Sequence, residues 1–149
     1  MFTAAGTLSD GERRRDRGAF FGSIHATLNH LLWGDRLWLS RFGGCDKPAG
    51  GIADSTAQFE DWADLKAMRE VTDTAMVVWA DVQTPETLDS DFHWVTSAGV
   101  SVGHHPRWKL IVQMFNHGTH HRGQVNALLT AAGATLPDTD IQRMPGFVP

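Results

Sequence analysis

Residues 106–133 have the sequence PRWKLIVQMFNHGTHHRGQVNALLTAAG, and this stretch decides the fold. Proline suits the first turn of a helix and glycine suits the position after the last turn, so one long helix is predicted from Pro106 to about Ala132. His117 and His121 are four residues apart, which places both imidazoles on one helix face, one turn apart. The same face carries apolar and amide side chains: Leu110, Gln113, Met114, Gln124 and Leu128.

A second long helix is predicted from Ser23 to Phe42. Serine favours the position before a helix, and the two glycines at 43 and 44 favour its end. At about 100° per residue, the apolar residues form one stripe. Its members are Ile24, Leu28, Leu31, Trp38, Leu39 and Phe42. Asp35 falls near the middle of this stripe, and His30 lies on its edge.

The remaining segments complete an all-α prediction. Helical spacing predicts a third helix from Phe59 to about Gln83, which Pro85 ends. Residues 1–8 are expected to be the tail of a short first helix, followed by loops at 9–22 and 43–57. Residues 86–105 break the helical period, and a small β-hairpin is predicted there from 92–95 and 100–102, with a surface tail after the last helix. Three or four helices with a minor hairpin indicate an antiparallel bundle, and 149 residues suit one domain spanning 1–149.

Composition and charge exclude several classes of protein. The formal charge is −4, from 13 basic and 17 acidic residues. A negatively charged protein is not expected to attract nucleic acid through the electrostatic field of its net charge. No apolar run is long enough to span a membrane, and no signal-peptide pattern is visible, so a cytoplasmic location is expected. Cys45 is the only cysteine, which excludes an internal disulfide or a cluster of thiolate ligands.

The eight histidines carry the functional argument, because imidazole is the commonest metal ligand. His117 and His121 are predicted to face inward, and buried neutral imidazoles need hydrogen-bond partners or a cation. His30, on the other long helix, is the best third ligand, and three histidines with an open position are typical of catalytic metal sites. On spacing alone His120 could replace His121, and core or surface histidines without a metal are the alternative interpretation.

Four further residues are candidates for orienting the ligands by hydrogen bonds: Asp35, Gln113, Arg122 and Gln124. For Asp35, an equally good interpretation is a salt bridge to one of three arginines: Arg36, Arg41 or Arg122. The sequence assigns no catalytic acid or base.

Two glycines interrupt the last helix. Each costs about 1 kcal/mol relative to alanine, so Gly118 and Gly123 predict close approaches to a ligand or a neighbouring helix. Gly118 also stands where a metalloprotease with two helical histidines carries its glutamate base, which excludes that motif.

Two stretches resemble the DinB/YfiT-like family of metalloenzymes: residues 22–39, GSIHATLNHLLWGDRLWL, and residues 115–124, FNHGTHHRGQ. The resemblance runs over nearly the whole chain, and the order and separation of the two motifs make the pair specific. It implies a four-helix bundle of up-down-down-up type with one long crossover, often assembled as a homodimer. It also implies one divalent metal per chain held by three histidines, which map to His30, His117 and His121 and so favour His121 over His120.

Family members characterised as enzymes look like transferases of low-molecular-weight thiols or thiol-dependent isomerases. The resemblance therefore implies a metal-dependent S-transferase or isomerase, or a hydrolase, acting on a small-molecule substrate. Zinc or nickel is the expected metal, with iron or manganese as alternatives, because three imidazoles do not choose among them. The alternative is a non-catalytic helical dimer that binds a metal or small ligand in a regulatory or stress-related role. A fourth protein ligand would favour that alternative.

Overall fold

The computed structural model describes residues 1–96 and 99–143. The helices, in chain order, are α1 (Phe2–Gly6), α2 (Asp10–Arg14), α3 (Ile24–Arg41), α4 (Trp62–Asp81), α5 (Pro85–Asp89) and α6 (Arg107–Ala131). Two antiparallel strands, β1 (Asp91–Val95) and β2 (Ser101–Pro106), precede α6. Short 3₁₀ turns cover Ile52–Ala57 and Ile141–Arg143. The predicted all-α bundle with a minor hairpin before the last helix is confirmed.

Side-chain caps decide where the long helices begin. The Ser23 hydroxyl accepts a hydrogen bond from the Ala26 amide (3.1 Å), which starts α3 where the sequence predicts. The Asp61 carboxylate accepts from two amides of the first turn (2.7 and 3.2 Å), so α4 begins at Trp62. That start is three residues later than predicted, because the apolar spacing continues back to Phe59 and hides the cap.

Short helices occupy segments that the sequence predicts as irregular. The predicted loop at 9–22 contains α2, and the loop at 43–57 contains the first 3₁₀ turn. The segment 86–105, predicted to be non-helical, starts with residues that belong to α5. The second strand, β2, is longer than predicted and extends to Pro106. Single caps start these helices: Ser9 accepts from the Glu12 amide, and Thr84 from the Thr87 amide. Five residues leave too little periodicity to detect. Residues 144–149 of the predicted tail lie outside the described residues.

The core consists of two clusters of buried apolar side chains, one at each end of α3. The first cluster contains Ala4, Ala5, Ile24, Leu28, Leu32, Leu65, Val125, Leu128 and Leu129. The second contains Leu39, Phe42, Trp79, Phe92, Leu110 and Met114. Between them the buried face of α3 turns polar, since Asn29, His30 and Asp35 are at most 6% exposed. Buried polar groups need partners, so this part of α3 is where a functional site is expected.

Candidate metal centre

Three histidines converge between α3 and α6. His30 comes from α3, His117 and His121 come from α6, and one ring nitrogen of each lies within 4.8 Å of the others. The Nε2 atoms of His117 and His121 are 3.1 Å apart, and the His30 ring centroid lies 4.6 Å from that of His121. His30 and His121 are buried and His117 is half-buried. Among the described residues, no fourth histidine, cysteine or carboxylate joins this group.

The proton on His30 is fixed by a serine in the first 3₁₀ turn. Ser55 Oγ lies 2.8 Å from His30 Nδ1, and the Ser55 hydroxyl donates its hydrogen to the Ile52 carbonyl (2.7 Å). Because that hydrogen is already used, Ser55 accepts from Nδ1–H of the neutral imidazole. The Nε2 lone pair of His30 is therefore free to bind a ligand on the other side of the ring.

Gln124 fixes the position of the proton on His121 in the same way. Its Oε1 lies 2.8 Å from His121 Nδ1, and its amide nitrogen lies 3.1 Å from Nε2 of the exposed His120. An amide oxygen only accepts hydrogen bonds, so Nδ1 of His121 carries the hydrogen and Nε2 carries a lone pair. That lone pair is directed at His117. Gln124, a predicted orienting residue, thus contacts one of the three histidines.

The third imidazole is placed by a glycine of α3. A Cβ atom at position 34 would lie 2.7 Å from Cε1 of His117, so only glycine lets this ring lie against the α3 backbone. Nδ1 of His117 is buried and has no hydrogen-bond partner within the described part of the chain. A half-buried imidazole with one unpartnered nitrogen is costly unless the other nitrogen makes a strong interaction.

All three imidazoles are neutral near pH 7. Burial, together with a smaller effect of the neighbouring His121 and His117, lowers the pKa of His30 to about 4. Burial likewise lowers the pKa of His117 to about 4 and holds that of His121 below its ordinary value. Only the neutral form offers a lone pair, so the site is poised to bind a cation without first losing protons.

The donor set fits a divalent transition metal. Imidazole nitrogen suits zinc, nickel, copper and iron. On a tetrahedral ion with bonds of about 2.0–2.1 Å, two ligand nitrogens stand roughly 3.4 Å apart. The 3.1 Å between the Nε2 atoms of His117 and His121 is close to that spacing. The three-histidine group could therefore hold a metal ion.

The depressed pKa values predict a pH-dependent stability for the metal-free protein. An unfolded histidine titrates near 6.5, whereas folded His30 and His117 titrate near 4. The unfolded chain binds more protons between these values, so stability is fully present above pH 6.5 and falls as the pH drops towards 4. Urea unfolding at several pH values, with a chelator present, measures this. His117→Gln should make the free energy of unfolding depend less on pH. The control His105→Gln, at an exposed histidine, should leave that pH dependence unchanged. If both variants show the same pH dependence, His117 is not one of the histidines that cause it.

Asp35 forms a salt bridge, as one of its two predicted interpretations states, but with an arginine that the sequence analysis does not name. Its carboxylate lies 2.6 Å from Nη1 of Arg69 on α4, and Arg69 also pairs with Asp73. Burial raises the pKa of Asp35, which the Arg69 guanidinium opposes. The predicted partners Arg36, Arg41 and Arg122 are wrong, because the contact comes from α4. Asp35 therefore connects α3 to α4, and within the described residues it makes no hydrogen bond to an imidazole.

The other predicted orienting residues lie away from the three histidines. Gln113 is exposed, so its predicted place on the buried face is wrong. Arg122 donates to Thr119 Oγ1 (2.8 Å) and lines a separate cavity beside Asp35. Gly118 is buried, and a Cβ there would lie 2.8 Å from Nη1 of Arg122 on the same helix but at an ordinary contact distance of 3.7 Å from Asp35 Oδ1, so the crowding at this position comes from α6 itself rather than from α3. Gly123 is exposed with open space around it, so the predicted close approach is wrong there.

A cavity of about 590 Å³ opens onto the three histidines. Beyond them it is lined by Phe20, Phe21, Trp33, Gly34, Leu37, Trp38, Arg41 and Ile52. The Phe21 ring lies 4.2 Å from that of His30 and 5.5 Å from that of His121. Sequence reasoning missed Phe21 and Ser55, because both lie in segments predicted as loops. The aromatic pair at 20 and 21, between glycines with φ near +70°, is the one available signal for Phe21.

The comparisons with known proteins agree with this architecture. No curated protein sequence matches the chain significantly. A crystal structure of a DinB-like protein from Bacillus cereus matches with a TM-score of 0.66 and 20% identity, covering 93% of this chain and 87% of that one. Within the described residues, no helix is both long and apolar enough to cross a membrane. The family model named DinB family matches residues 1–146, nearly the full length, and the chain therefore belongs to the DinB family.

Proposed function

We propose that this protein is a metal-dependent enzyme that binds one divalent transition metal through His30, His117 and His121. Zinc or nickel is the preferred ion, with iron or manganese as alternatives. The observation that carries the proposal is the meeting of three neutral imidazoles at one end of a cavity large enough for a small molecule. Membership of the DinB family supports the same conclusion.

The proposed reaction is transfer of a low-molecular-weight thiol to a small electrophilic substrate, or a thiol-dependent isomerisation, with hydrolysis as the alternative. A bound divalent ion would lower the pKa of a thiol or a water and supply a nucleophile near neutral pH. The chain's own residues have separate tasks. Ser55 and Gln124 hold the His30 and His121 rings with Nε2 facing inward, and the Phe21 ring packs against both of them.

Two observations bear on the choice between an enzyme and a non-catalytic binding protein. A catalytic site keeps a coordination position open, whereas a structural site is closed by a fourth protein ligand. The described residues offer three ligands and an adjoining cavity, which supports the enzyme.

We also propose a homodimer. Its support is the family resemblance and a stripe of exposed valines, formed by Val71 and Val78 on α4 and by Val82 directly after its last residue.

Metal content tests the binding site directly. The purified protein is expected to carry about one transition metal per chain, measured by inductively coupled plasma mass spectrometry after dialysis. Chelator-treated protein should regain the same stoichiometry when zinc or nickel is added. A preparation that holds no metal and cannot be loaded would contradict the site.

The reaction class is tested separately on the same two preparations. Loaded and stripped protein are assayed with a panel of thiols and electrophiles, together with ester and amide substrates for hydrolysis. Thiol consumption by loaded protein alone supports the transferase, and hydrolysis without thiol supports the alternative. A loaded protein that turns over neither class would leave the non-catalytic binding role.

A further inference from the structure

One wall of the cavity beside the three histidines is formed by α3. His30, Gly34, Leu37, Trp38 and Arg41 all line it and recur every three or four residues, so they form one stripe of the helix. A helix rises about 1.5 Å per residue, which puts the Cα atoms of His30 and Arg41 roughly 16 Å apart. The cavity therefore has a histidine end and an arginine end.

Arg41 is a half-buried cation for which the described part of the chain supplies no ion-pair partner. Its guanidinium stacks over the Trp38 ring at 4.5 Å, and burial lowers its pKa. Six of the ten arginines contact a carboxylate: Arg13, Arg14, Arg15, Arg17, Arg69 and Arg143. Of the four without such a contact among the described residues, Arg41 is the one that lines this cavity. A charge withdrawn from water without a counter-charge is unfavourable, and an anionic ligand would compensate it.

The rest of the cavity wall is apolar and contains no acidic residue among the described lining positions. The wall between its two ends is formed by Phe20, Phe21, Trp33, Leu37, Trp38 and Ile52. Among the described lining residues Arg41 is the one arginine, and the lining holds no lysine, aspartate or glutamate, so an anionic group near it meets a cation and no competing carboxylate. A ligand that satisfies every part of the wall has an apolar body with an anionic group at one end.

We propose that Arg41 recognises the anionic group, most simply a carboxylate, of an elongated and otherwise apolar ligand whose opposite end reaches the three histidines. The inference rests on the proposed function in placing the reacting group at the histidine end. The carboxylate could belong to the electrophilic substrate or to the thiol that reacts with it. Both sources share the same chemistry at Arg41.

Binding of matched acids and alcohols tests the role of Arg41. The probes are 6-phenylhexanoate against 6-phenylhexan-1-ol, and 8-mercaptooctanoate against 8-mercaptooctan-1-ol, measured by isothermal titration on metal-loaded and chelator-treated protein. The acid of at least one pair is expected to bind about tenfold more tightly than its alcohol. Arg41→Met should remove this preference and Arg41→Lys should retain part of it. Arg36→Met is the matched control, since Arg36 lies on α3 outside the cavity lining and should leave the preference unchanged.

The outcomes separate the possible sources and the two proposals. A preference confined to the thiol pair assigns the carboxylate to the thiol, and one confined to the phenyl pair assigns it to the other substrate. A preference that survives Arg41→Met, or that requires metal, places the anion on the metal and overturns the inference. Absence of any preference also overturns it. If the protein binds no metal but stripped protein keeps an Arg41-dependent preference, the metal-dependent function fails and the anion site stands.

Discussion

His117→Ala is expected to abolish tight metal binding, raising the dissociation constant on the order of a thousandfold. Nε2 of His117 lies 3.1 Å from Nε2 of His121, and these nitrogens with that of His30 form the whole donor set among the described residues. Removing the His117 imidazole leaves two imidazoles, and this group contains no carboxylate that could replace the lost ligand. Competition with a chromophoric chelator, on protein stripped and reloaded with zinc, measures the change.

Two histidines outside the cluster are the controls. His25 is buried, but its Nε2 is bonded to the Phe59 carbonyl (2.9 Å), and His120 is exposed next to His121. Alanine at either position should leave zinc affinity within about tenfold of the original, because each acts on the site at most through a neighbour. If either control weakens binding as much as His117→Ala, the wrong histidines have been assigned. Thermal unfolding of each variant shows whether the fold is retained.

The parts of the site that the sequence predicts are those governed by local geometry. The i, i+4 spacing of His117 and His121 fixes their shared helix face, and Ser23 fixes the start of α3 that carries His30. Gln124 follows from the same logic, because it is three residues after His121 and its amide reaches that ring. Spacing alone does not choose between His120 and His121, since on a helix they lie about 60° and about 40° from His117, on opposite sides of it, and either could share its face.

The parts that the sequence did not predict depend on contacts between distant segments. Arg69 reaches Asp35 across 34 residues from α4, whereas the predicted arginines were chosen without knowledge of how the helices pack. Ser55 becomes a partner of His30 because a 3₁₀ turn in a glycine-rich loop folds against α3. No periodicity marks such a contact. Local sequence patterns can therefore find the three histidines but cannot find the residues on other elements that orient their rings.

Gln113 shows a further limit of helical periodicity. The buried positions of α6 are 110, 114, 118, 121, 125, 128 and 129. Around the helix axis, Gln113 is rotated by about 100° from the buried Met114. It lies one turn before His117 on the same helix face, and His117 is itself only half-buried. A residue on the edge of a stripe is buried only where another element covers that edge. At His117 this cover is the α3 backbone at Gly34, and at Gln113 the side chain is exposed.

Gly34→Ala is expected to weaken metal binding about tenfold to a hundredfold without removing a ligand. A Cβ at this position would lie 2.7 Å from Cε1 and 3.2 Å from Nδ1 of His117, so the ring must shift. The obstructed atoms are at the end of a side chain, so the ring can turn away while the helices stay packed. The fold should therefore be retained, and α3 should gain helix propensity of up to about 1 kcal/mol.

Gly123→Ala is the matched control, because it makes the same change in a helix where a new Cβ meets open space. It should gain a similar helix propensity and leave the zinc dissociation constant unchanged. Competition titration and urea unfolding of the two variants separate the effects, since both share the propensity gain and only Gly34→Ala displaces an imidazole. Equal zinc affinity in the two variants would mean that the position of the His117 ring does not matter for metal binding. His117 would then have to lie outside the coordination sphere, because a ligand nitrogen cannot be moved without cost to the bond it makes.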